Sequence, residues 1–333
     1  MSVIGSPSPN AISRAASDEN LSSSMRPLPL LRPAWLPESA WPFPTFGLKI
    51  DNSTIAVSEA GQGPTLLFVH TGVWSFIWRD LMLHLVGDFR CICLDAPGTG
   101  QSSRLPGREI SLAKSAHVIS TVIQSLDLQD LTLVLHDLGG PCGIAGALKV
   151  ADRIRGIAAL NTFGWKPAGA FFRGMLALMG SAPMREFSVL TEFLSIISSS
   201  KFGAGRHMDK ASRQVFRAGI DAQARRAFHY YMRDARNAGS LFETVERALV
   251  HTFNHLPLIT IFGELNDPLG FQRHWKALFP DALQFVVKGG HHFPMCDDPE
   301  FVAAAIRSWH MQKVAPTFQH ELRPPGSKEY KCS

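Results

Sequence analysis

The sequence predicts an α/β protein built on a mostly parallel, twisted sheet with helices on both faces. Continuously apolar runs of strand length alternate with stretches of helical spacing, which is the pattern of strands buried on both sides. The alternation stops for a long helical stretch and then resumes near the end of the chain. We therefore expect one core domain whose sheet is interrupted in sequence by an inserted helical cap domain.

The first elements follow one another closely. Residues 55–59 have the pattern of a strand, residues 61–63 that of a glycine-rich turn, and residues 65–70 that of a buried strand. A helical stretch leads to a third strand at 90–94, and a loop of turn residues occupies 95–102. The later elements are, in order, a helix at 112–126, a strand at 131–135, a helix at 143–150, strands at 157–160, 258–262 and 283–287, and an amphipathic helix at 301–311.

These elements divide the chain into segments. We expect a disordered N-terminal extension at 1–46, a core at 47–164 and 256–313, a helical cap at 165–255 and a C-terminal tail at 314–333. The first 24 residues are rich in Ser, Asn and Ala and lack the continuous apolar region of a signal peptide. Met25 is therefore a second candidate for the start of the protein.

The bulk composition excludes several classes of protein. The 333 residues are 45% apolar and 18% charged, as in an ordinary globular protein. The net charge is +5, and the basic residues are scattered, which argues against nucleic-acid binding. No apolar run reaches the roughly 18 residues that a membrane span needs.

The cysteines form neither a disulfide framework nor a metal site. Cys91 and Cys93 share one predicted strand, whereas Cys142, Cys296 and Cys332 are isolated. Buried thiols of this kind are typical of a reducing compartment, so we expect a cytoplasmic protein. No Cys and His spacing suggests zinc, and we expect neither a metal nor a cofactor.

Polar residues follow three of the predicted strands directly. His70, Asp137 and Asp267 each stand just past an apolar run. In parallel sheets the active site lies at the carboxyl ends of the strands, so these residues are candidates for one site. Asp137 is the most informative, because glycines and a helical stretch follow it at once; a helix N-cap is the alternative role for it.

Five motifs in this order resemble the α/β-hydrolase superfamily, in the branch that contains haloalkane dehalogenases and epoxide hydrolases. They are the Trp78-Arg79 helix start, the Asp95-x-Pro97-Gly98-x-Gly100-x-Ser102 loop, His136-Asp137-Leu138-Gly139-Gly140, Gly263-x-x-x-Asp267-Pro268 and His292-Phe293-Pro294. The resemblance covers residues 48–313 and implies a triad of nucleophile, acid and histidine in that chain order.

The resemblance assigns a role to each triad member. Asp137 takes the place of the nucleophile and would form an alkyl-enzyme ester at saturated carbon, since attack of a carboxylate on a carbonyl would give an anhydride. His292 would activate the water that hydrolyses the ester, with His291 as the alternative. Asp267 would orient the imidazole, with Glu264 as the alternative.

The resemblance also places an oxyanion hole. Its donors would be the backbone N–H groups of Leu138 and Thr71, with Gly72 as the alternative to Thr71. The family typically carries a Trp where this chain has Leu138, and its indole N–H holds the departing halide. The candidate replacements are therefore Trp74, Trp78 and Trp165, although each is also a typical packing residue.

The predicted function is hydrolysis of a small apolar organic substrate with water as the second substrate. Apolar residues of the cap, among them Phe171, Phe172 and Met175, indicate a lid over a hydrophobic pocket. Cleavage of carbon–halogen bonds is the leading hypothesis. Epoxide hydrolysis is the alternative, although that reaction needs cap tyrosines and only Tyr230 and Tyr231, adjacent in sequence, are available. A ligand-binding protein without turnover is the third hypothesis; the oligomeric state is left open.

Overall fold

The structure, a computed structural model, describes residues 27–166 and 169–316. Nine strands form one sheet in the order β1-β2-β3-β5-β4-β6-β7-β8-β9. The strands are β1 (Leu28–Pro29), β2 (Thr45–Ile50), β3 (Ser53–Ala60), β4 (Thr65–Val69), β5 (Arg90–Leu94), β6 (Leu131–Asp137), β7 (Ile154–Thr162), β8 (Leu258–Gly263) and β9 (Leu283–Val287). Pairing is antiparallel from β1 to β3 and between β3 and β5, and parallel from β5 to β9.

Helices connect the parallel strands. The core helices are α1 (Arg79–Leu85), α2 (Leu112–Ser125), α3 (Gly139–Ala147), α10 (Phe271–Leu278), α11 (Pro294–Asp297) and α12 (Pro299–Trp309). The helices between β7 and β8 are α4 (Ala170–Met179), α5 (Ala182–Thr191), α6 (Phe193–Ser198), α7 (Lys210–Ala218), α8 (Ala222–Asn237) and α9 (Gly239–His251). Short 3₁₀ turns occupy Ser75–Trp78, Leu148–Arg153 and Ala204–Arg206, and a π-helical turn occupies His310–Val314.

Successive residues of the central strands bury into opposite sides of the sheet. In β6, Leu133 and Leu135 belong to one hydrophobic cluster while Val134 belongs to the other. Because both faces of the sheet are buried, the strand sequences are unbroken runs of hydrophobic residues. This arrangement confirms the predicted mostly parallel α/β-hydrolase sheet with helices on both faces.

The helices between β7 and β8 are attached to the core by specific polar contacts. Tyr231 on α8 donates to the carbonyl of Pro97 at 2.9 Å, and the Asp234 carboxylate accepts from the backbone N–H of Leu112 at 2.8 Å. Trp74 of the core donates to the carbonyl of Phe216 on α7 at 2.9 Å. This cap therefore has a defined position over the carboxyl ends of the strands.

Part of the predicted N-terminal extension is structured, which corrects the expectation for residues 27–46. Leu36, Trp41 and Phe43 are buried, and the indole N–H of Trp41 donates to Ser58 Oγ at 3.2 Å. The Trp41 ring also packs against Phe76. The segment has no periodic pattern because its apolar side chains are anchored one at a time on core aromatics. Residues 1–26, including Met25, and residues 317–333 lie outside the described residues.

Within residues 27–166 and 169–316, no helix is both long and apolar enough to cross a bilayer.

Candidate active site

Asp137 lies at a sharp turn between β6 and α3. Its φ is 50°, a left-handed conformation that is uncommon for a residue other than glycine. The turn is tight enough to require the next two glycines: a Cβ on Gly139 would lie 2.2 Å from the Val69 carbonyl oxygen, and one on Gly140 would lie 2.0 Å from Thr162 Oγ1. Thr162 Oγ1 also donates to the Asp137 carbonyl at 2.6 Å. The chain therefore presents the Asp137 carboxylate at the carboxyl edge of the sheet.

His292 approaches Asp137 from the loop that precedes α11. Its Nε2 lies 3.8 Å from Asp137 Oδ2, and both side chains border the same cavity. Burial favours the neutral acid, but the contact with His292 and the backbone N–H of Leu138 outweigh it, so the pKa of Asp137 falls below its ordinary value. Asp137 is therefore an ionised carboxylate at neutral pH, as a nucleophile requires. The structure thus brings these two sequence-predicted residues together.

The other side of the His292 ring contacts an amide. Asn266 Nδ2 lies 3.2 Å from His292 Nδ1. Asp267, which the sequence suggested for this position, directs its carboxylate to the start of α10 instead. Asp267 Oδ1 accepts from the Phe271 N–H at 2.6 Å and Oδ2 accepts from the Gln272 N–H at 3.0 Å. Asp267 borders the cavity, but its carboxylate caps a helix, because two backbone donors there outcompete the imidazole.

Two nearby acids are also engaged with backbone groups. Glu264 Oε2 accepts from the Gly289 N–H at 2.7 Å, and Asp297 Oδ2 accepts from the His291 N–H at 2.6 Å. Glu264, the sequence alternative to Asp267, therefore shapes the loop before the histidine. Among the described residues, Asp137 is the only acid whose carboxylate is within ion-pair distance of the His292 ring.

Asn161, at the end of β7, is a site residue that the sequence reasoning missed. Its Nδ2 donates to the carbonyls of Asn266 at 3.2 Å and His291 at 3.4 Å, and its Oδ1 accepts from the Gly263 N–H at 2.7 Å. One amide thus joins the loop after β8 to the loop that carries the histidine. The signal was available, since Asn161 is a polar residue at the carboxyl end of an apolar run.

Of the two predicted oxyanion donors, Leu138 borders the cavity and Thr71 does not. Leu138 borders the cavity and its backbone N–H faces the Asp137 carboxylate. Thr71 is buried, with no hydrogen-bond partner for its Oγ1 in the described chain, and the cavity is bordered by His70 and Val73 of the same loop. The roles of Thr71 and Leu138 remain predictions.

The three tryptophans suggested as leaving-group donors are packed away from the cavity. Trp74 donates its indole N–H to the cap backbone, as described above. Trp78 packs edge-on against His136, with ring centroids 6.1 Å apart, and the Trp165 ring lies 4.0 Å from the His274 ring at an interplanar angle of 37°. None of the three belongs to the cavity wall. Their positions therefore do not support the suggested role as leaving-group donors.

The cavity between cap and core has a volume of about 390 Å³. Its wall is mainly apolar, with contributions from Phe163, Phe171, Phe172, Met175, Leu176, Met179, Phe228, Met232 and Phe262. Its polar members are His70, Asp137, Asn161, Ser198, Asn266, Asp267 and His292. A mainly apolar chamber with a few convergent polar groups is the usual form of a small-molecule site.

Comparison with known proteins agrees with this architecture. Residues 64–299 match the family described as alpha/beta hydrolase fold. Haloalkane dehalogenase 2 of Mycobacterium tuberculosis is 28% identical over 272 residues, covering 80% of this chain and 94% of that protein. A cis-3-alkyl-4-alkyloxetan-2-one decarboxylase of Xanthomonas campestris is 26% identical over 279 residues, covering 77% of this chain and 92% of that protein. A solved haloalkane dehalogenase of Agrobacterium tumefaciens has a TM-score of 0.68 at 21% identity, covering 83% and 99% of the two chains.

The family match spans more than half of the chain. The chain therefore belongs to the α/β-hydrolase family, and within that family it is similar to haloalkane dehalogenases. Its enzyme class is that of a hydrolase.

Proposed function

We propose that the enzyme displaces a halide from a small apolar haloalkane by direct attack of Asp137. One carboxylate oxygen forms a bond to the saturated carbon while the carbon–halogen bond breaks, and the halide leaves with the electron pair. The observation that carries the proposal is the ionised Asp137 at the end of β6, facing an apolar cavity. A carboxylate there has few water molecules to displace before it can attack.

Water completes the proposed cycle. A water molecule attacks the acyl carbon of the Asp137 ester and passes a proton to Nε2 of His292. The acyl–oxygen bond to the alkyl group then breaks, the leaving oxygen takes that proton from His292 to give the alcohol, and the remaining acid proton is lost to solvent. The negative charge that develops on the ester oxygen would be held by backbone N–H groups of Leu138 and Thr71. The product is an alcohol, and the carboxylate of Asp137 is restored.

Carbon–halogen cleavage is favoured over epoxide opening by the position of the cap tyrosines. Tyr231 is buried; its single O–H donates to the Pro97 carbonyl, and its oxygen accepts from Ser115 Oγ at 3.1 Å. The Tyr230 ring is contacted by the guanidinium groups of Arg185 and Arg233 at 5.0 and 4.8 Å. Neither phenol borders the cavity, so neither is positioned to protonate an opening epoxide.

A second candidate function is the opening and decarboxylation of a four-membered lactone. It is favoured by a specific observation, the absence of any indole N–H among the described residues that border the cavity. Attack of Asp137 at the saturated ring carbon that is bonded to the ring oxygen would break that carbon–oxygen bond and leave a carboxylate on the substrate. Relief of strain in the four-membered ring favours this step, and no free halide has to be held. Loss of CO₂ with departure of the Asp137 carboxylate would then form an alkene without water. The similarity to the Xanthomonas campestris decarboxylase supports testing this reaction.

The test uses a variant that traps the ester. His292→Gln should form an adduct with bromohexane that is located on Asp137 by mass spectrometry of the digested protein. His291→Gln is the matched control, since it removes the adjacent histidine and should accumulate no additional adduct. Asp137→Asn should give no adduct at all.

The unmodified enzyme then distinguishes the reactions. Release of bromide indicates dehalogenation, diol formation from epoxyhexane indicates epoxide opening, and CO₂ from a cis-dialkyl β-lactone indicates decarboxylation. Asp137 is not the nucleophile if the folded His292→Gln variant carries no adduct with bromohexane or epoxyhexane and Asp137→Asn releases as much CO₂ from the lactone as the unmodified enzyme does.

A further inference from the structure

We propose that Asn266 takes the third position of the triad and that its neutral amide makes ester hydrolysis the slow half-reaction, so that the alkyl ester on Asp137 accumulates during turnover. This inference rests on the proposed function and adds to it the rate-limiting step. The contact that carries it joins Asn266 Nδ2 and His292 Nδ1 at 3.2 Å.

The amide position is built into the fold. Asn161 donates to the Asn266 carbonyl, and the Asn266 N–H donates to the Gly263 carbonyl at 3.0 Å. Asn161 Oδ1 also accepts from the Gly263 N–H, so both ends of this turn are held by one side chain. The turn therefore directs residue 266, rather than residue 267, at the imidazole.

No neighbouring carboxylate takes over the task in the described chain. Asp267 caps α10, Glu264 holds Gly289 and Asp297 holds the backbone of His291. Arg206 Nη1 also lies 3.9 Å from Asp297 Oδ1, so the Asp297 carboxylate has an ion-pair partner in addition to the His291 backbone. An imidazolium formed at His292 would have Asp137 as its acidic neighbour, and Asp137 is the residue that the ester neutralises.

The two half-reactions depend on this arrangement to different extents. Alkylation needs the free Asp137 carboxylate and no proton transfer. Hydrolysis requires His292 Nε2 to accept a proton from water, which leaves a positive charge on the ring. In serine proteases the conversion of the triad Asp to Asn lowers kcat by roughly 10⁴-fold, because the imidazole takes the wrong tautomer.

The amide orientation produces the same tautomer problem here. With Nδ2 facing the ring, His292 Nδ1 accepts a hydrogen bond, so the ring proton is on Nε2 and that nitrogen cannot act as the base. With the amide turned over, Oδ1 accepts from Nδ1–H and Nε2 is free to act. Either way the partner is neutral and leaves the imidazolium charge uncompensated.

The test follows the ester in the unmodified enzyme. Rapid mixing with bromohexane, quenching and intact-protein mass spectrometry should show a burst of about one adduct per molecule, followed by slow loss. Asn266→Asp should shorten the adduct lifetime at least tenfold and remove the burst of bromide. Asn254→Asp, the same change on an exposed turn, is the matched control and should leave the lifetime unchanged.

A second variant keeps the test decisive if Asn266→Asp does not fold. Asn266→Ala should keep the adduct lifetime within threefold of the unmodified enzyme, because a neutral amide contributes little charge stabilisation. A tenfold longer lifetime in Asn266→Ala would show that the amide is an effective partner and would overturn the inference.

The remaining outcomes separate this inference from the proposed function. An adduct in His292→Gln together with no burst in the unmodified enzyme overturns the inference while the nucleophile assignment stands. No adduct in either protein overturns the proposed function itself. If the unmodified enzyme shows a burst but Asn266→Asp does not shorten the adduct lifetime, hydrolysis is slow for a reason other than Asn266, and the inference is overturned.

Discussion

The imidazole rings of His70 and His136 face each other through their Nδ1 atoms, which are 3.0 Å apart. His136 Nε2 lies 2.7 Å from the His292 carbonyl oxygen, which can only accept, so Nε2 carries the proton and Nδ1 accepts from His70. His70 Nε2 is then free to accept from the Val73 N–H at 3.4 Å. Two neutral histidines thus connect the loop after β4, the strand that carries Asp137 and the backbone of His292.

This pair makes stability depend on pH. Burial lowers the pKa of His70 to about 3, with a further contribution from His292, and burial likewise lowers the pKa of His136 well below its ordinary value. The unfolded chain therefore binds more protons than the folded one as pH falls below the usual histidine pKa of about 6.5. The stabilisation is present above that pH and is lost toward the folded pKa.

We expect the free energy of unfolding to fall by about 2 kcal/mol per buried histidine between pH 8 and pH 5. Urea titrations at several pH values measure this change, and His70→Gln should reduce the pH dependence of the unfolding free energy by the contribution of one histidine. The same pH dependence in the variant and the unmodified protein would contradict the neutral pair. His117, half exposed on α2, provides the control variant His117→Gln.

The helix cap at Asp267 predicts a stability effect without a loss of adduct formation. Asp267→Ala removes the acceptor for two backbone donors of α10 and should lower the free energy of unfolding by about 1 kcal/mol. Asp267→Asn retains an acceptor and should be closer to the unmodified protein. Urea titration gives the stability, and mass spectrometry with bromohexane gives the adduct lifetime. A hydrolysis defect as large as that of His292→Gln in both variants would instead restore Asp267 to the triad.

The glycines that follow Asp137 in the sharp turn between β6 and α3 predict a large loss of stability on substitution. Gly139→Ala would place a Cβ 2.2 Å from the Val69 carbonyl oxygen, so the backbone must shift. We expect a loss of about 3 kcal/mol or more, or failure to fold. Gly174→Ala on α4 is the matched control, since nothing lies within 4 Å of its Cβ position, and it should stabilise the protein by ~0.5–1 kcal/mol. Thermal unfolding of both variants checks the contrast; equal effects would rule out the tight turn.

The indole of Trp74 predicts a cap-anchoring effect rather than a leaving-group effect. Trp74→Phe removes the donor to the buried Phe216 carbonyl and should cost about 1–3 kcal/mol. Trp35→Phe is the control, because that ring meets Trp74 edge-on at 5.2 Å and is less buried. Urea titration measures the stability, and single-turnover bromide release measures alkylation. A selective loss of alkylation rate at unchanged stability would return Trp74 to the role of halide donor.

Much of the fold could be predicted from the sequence because the central strands are buried on both faces. Their unbroken apolar runs, interrupted by glycine-rich turns, identified β4 to β9 and the helical insertion between β7 and β8. The segment 27–46 could not be predicted in this way. Its buried Trp41 is anchored by contacts with Phe76 and Ser58, which are distant in sequence and leave no periodic pattern.

The sequence by itself made Asp137 and His292 candidates for one site. Asp137 directly follows a strand of the predicted parallel sheet, and the motif order that resembles α/β-hydrolases implied His292. Only the tertiary structure decided which neighbour completes the site. Asn266 and Asp267 are adjacent, and their side chains diverge because the backbone donors at the start of α10 take the carboxylate while Asn161 holds the turn toward the imidazole. The bond from Asn161 to the Asn266 carbonyl joins segments that are distant in the sequence, and no local pattern in the chain records it.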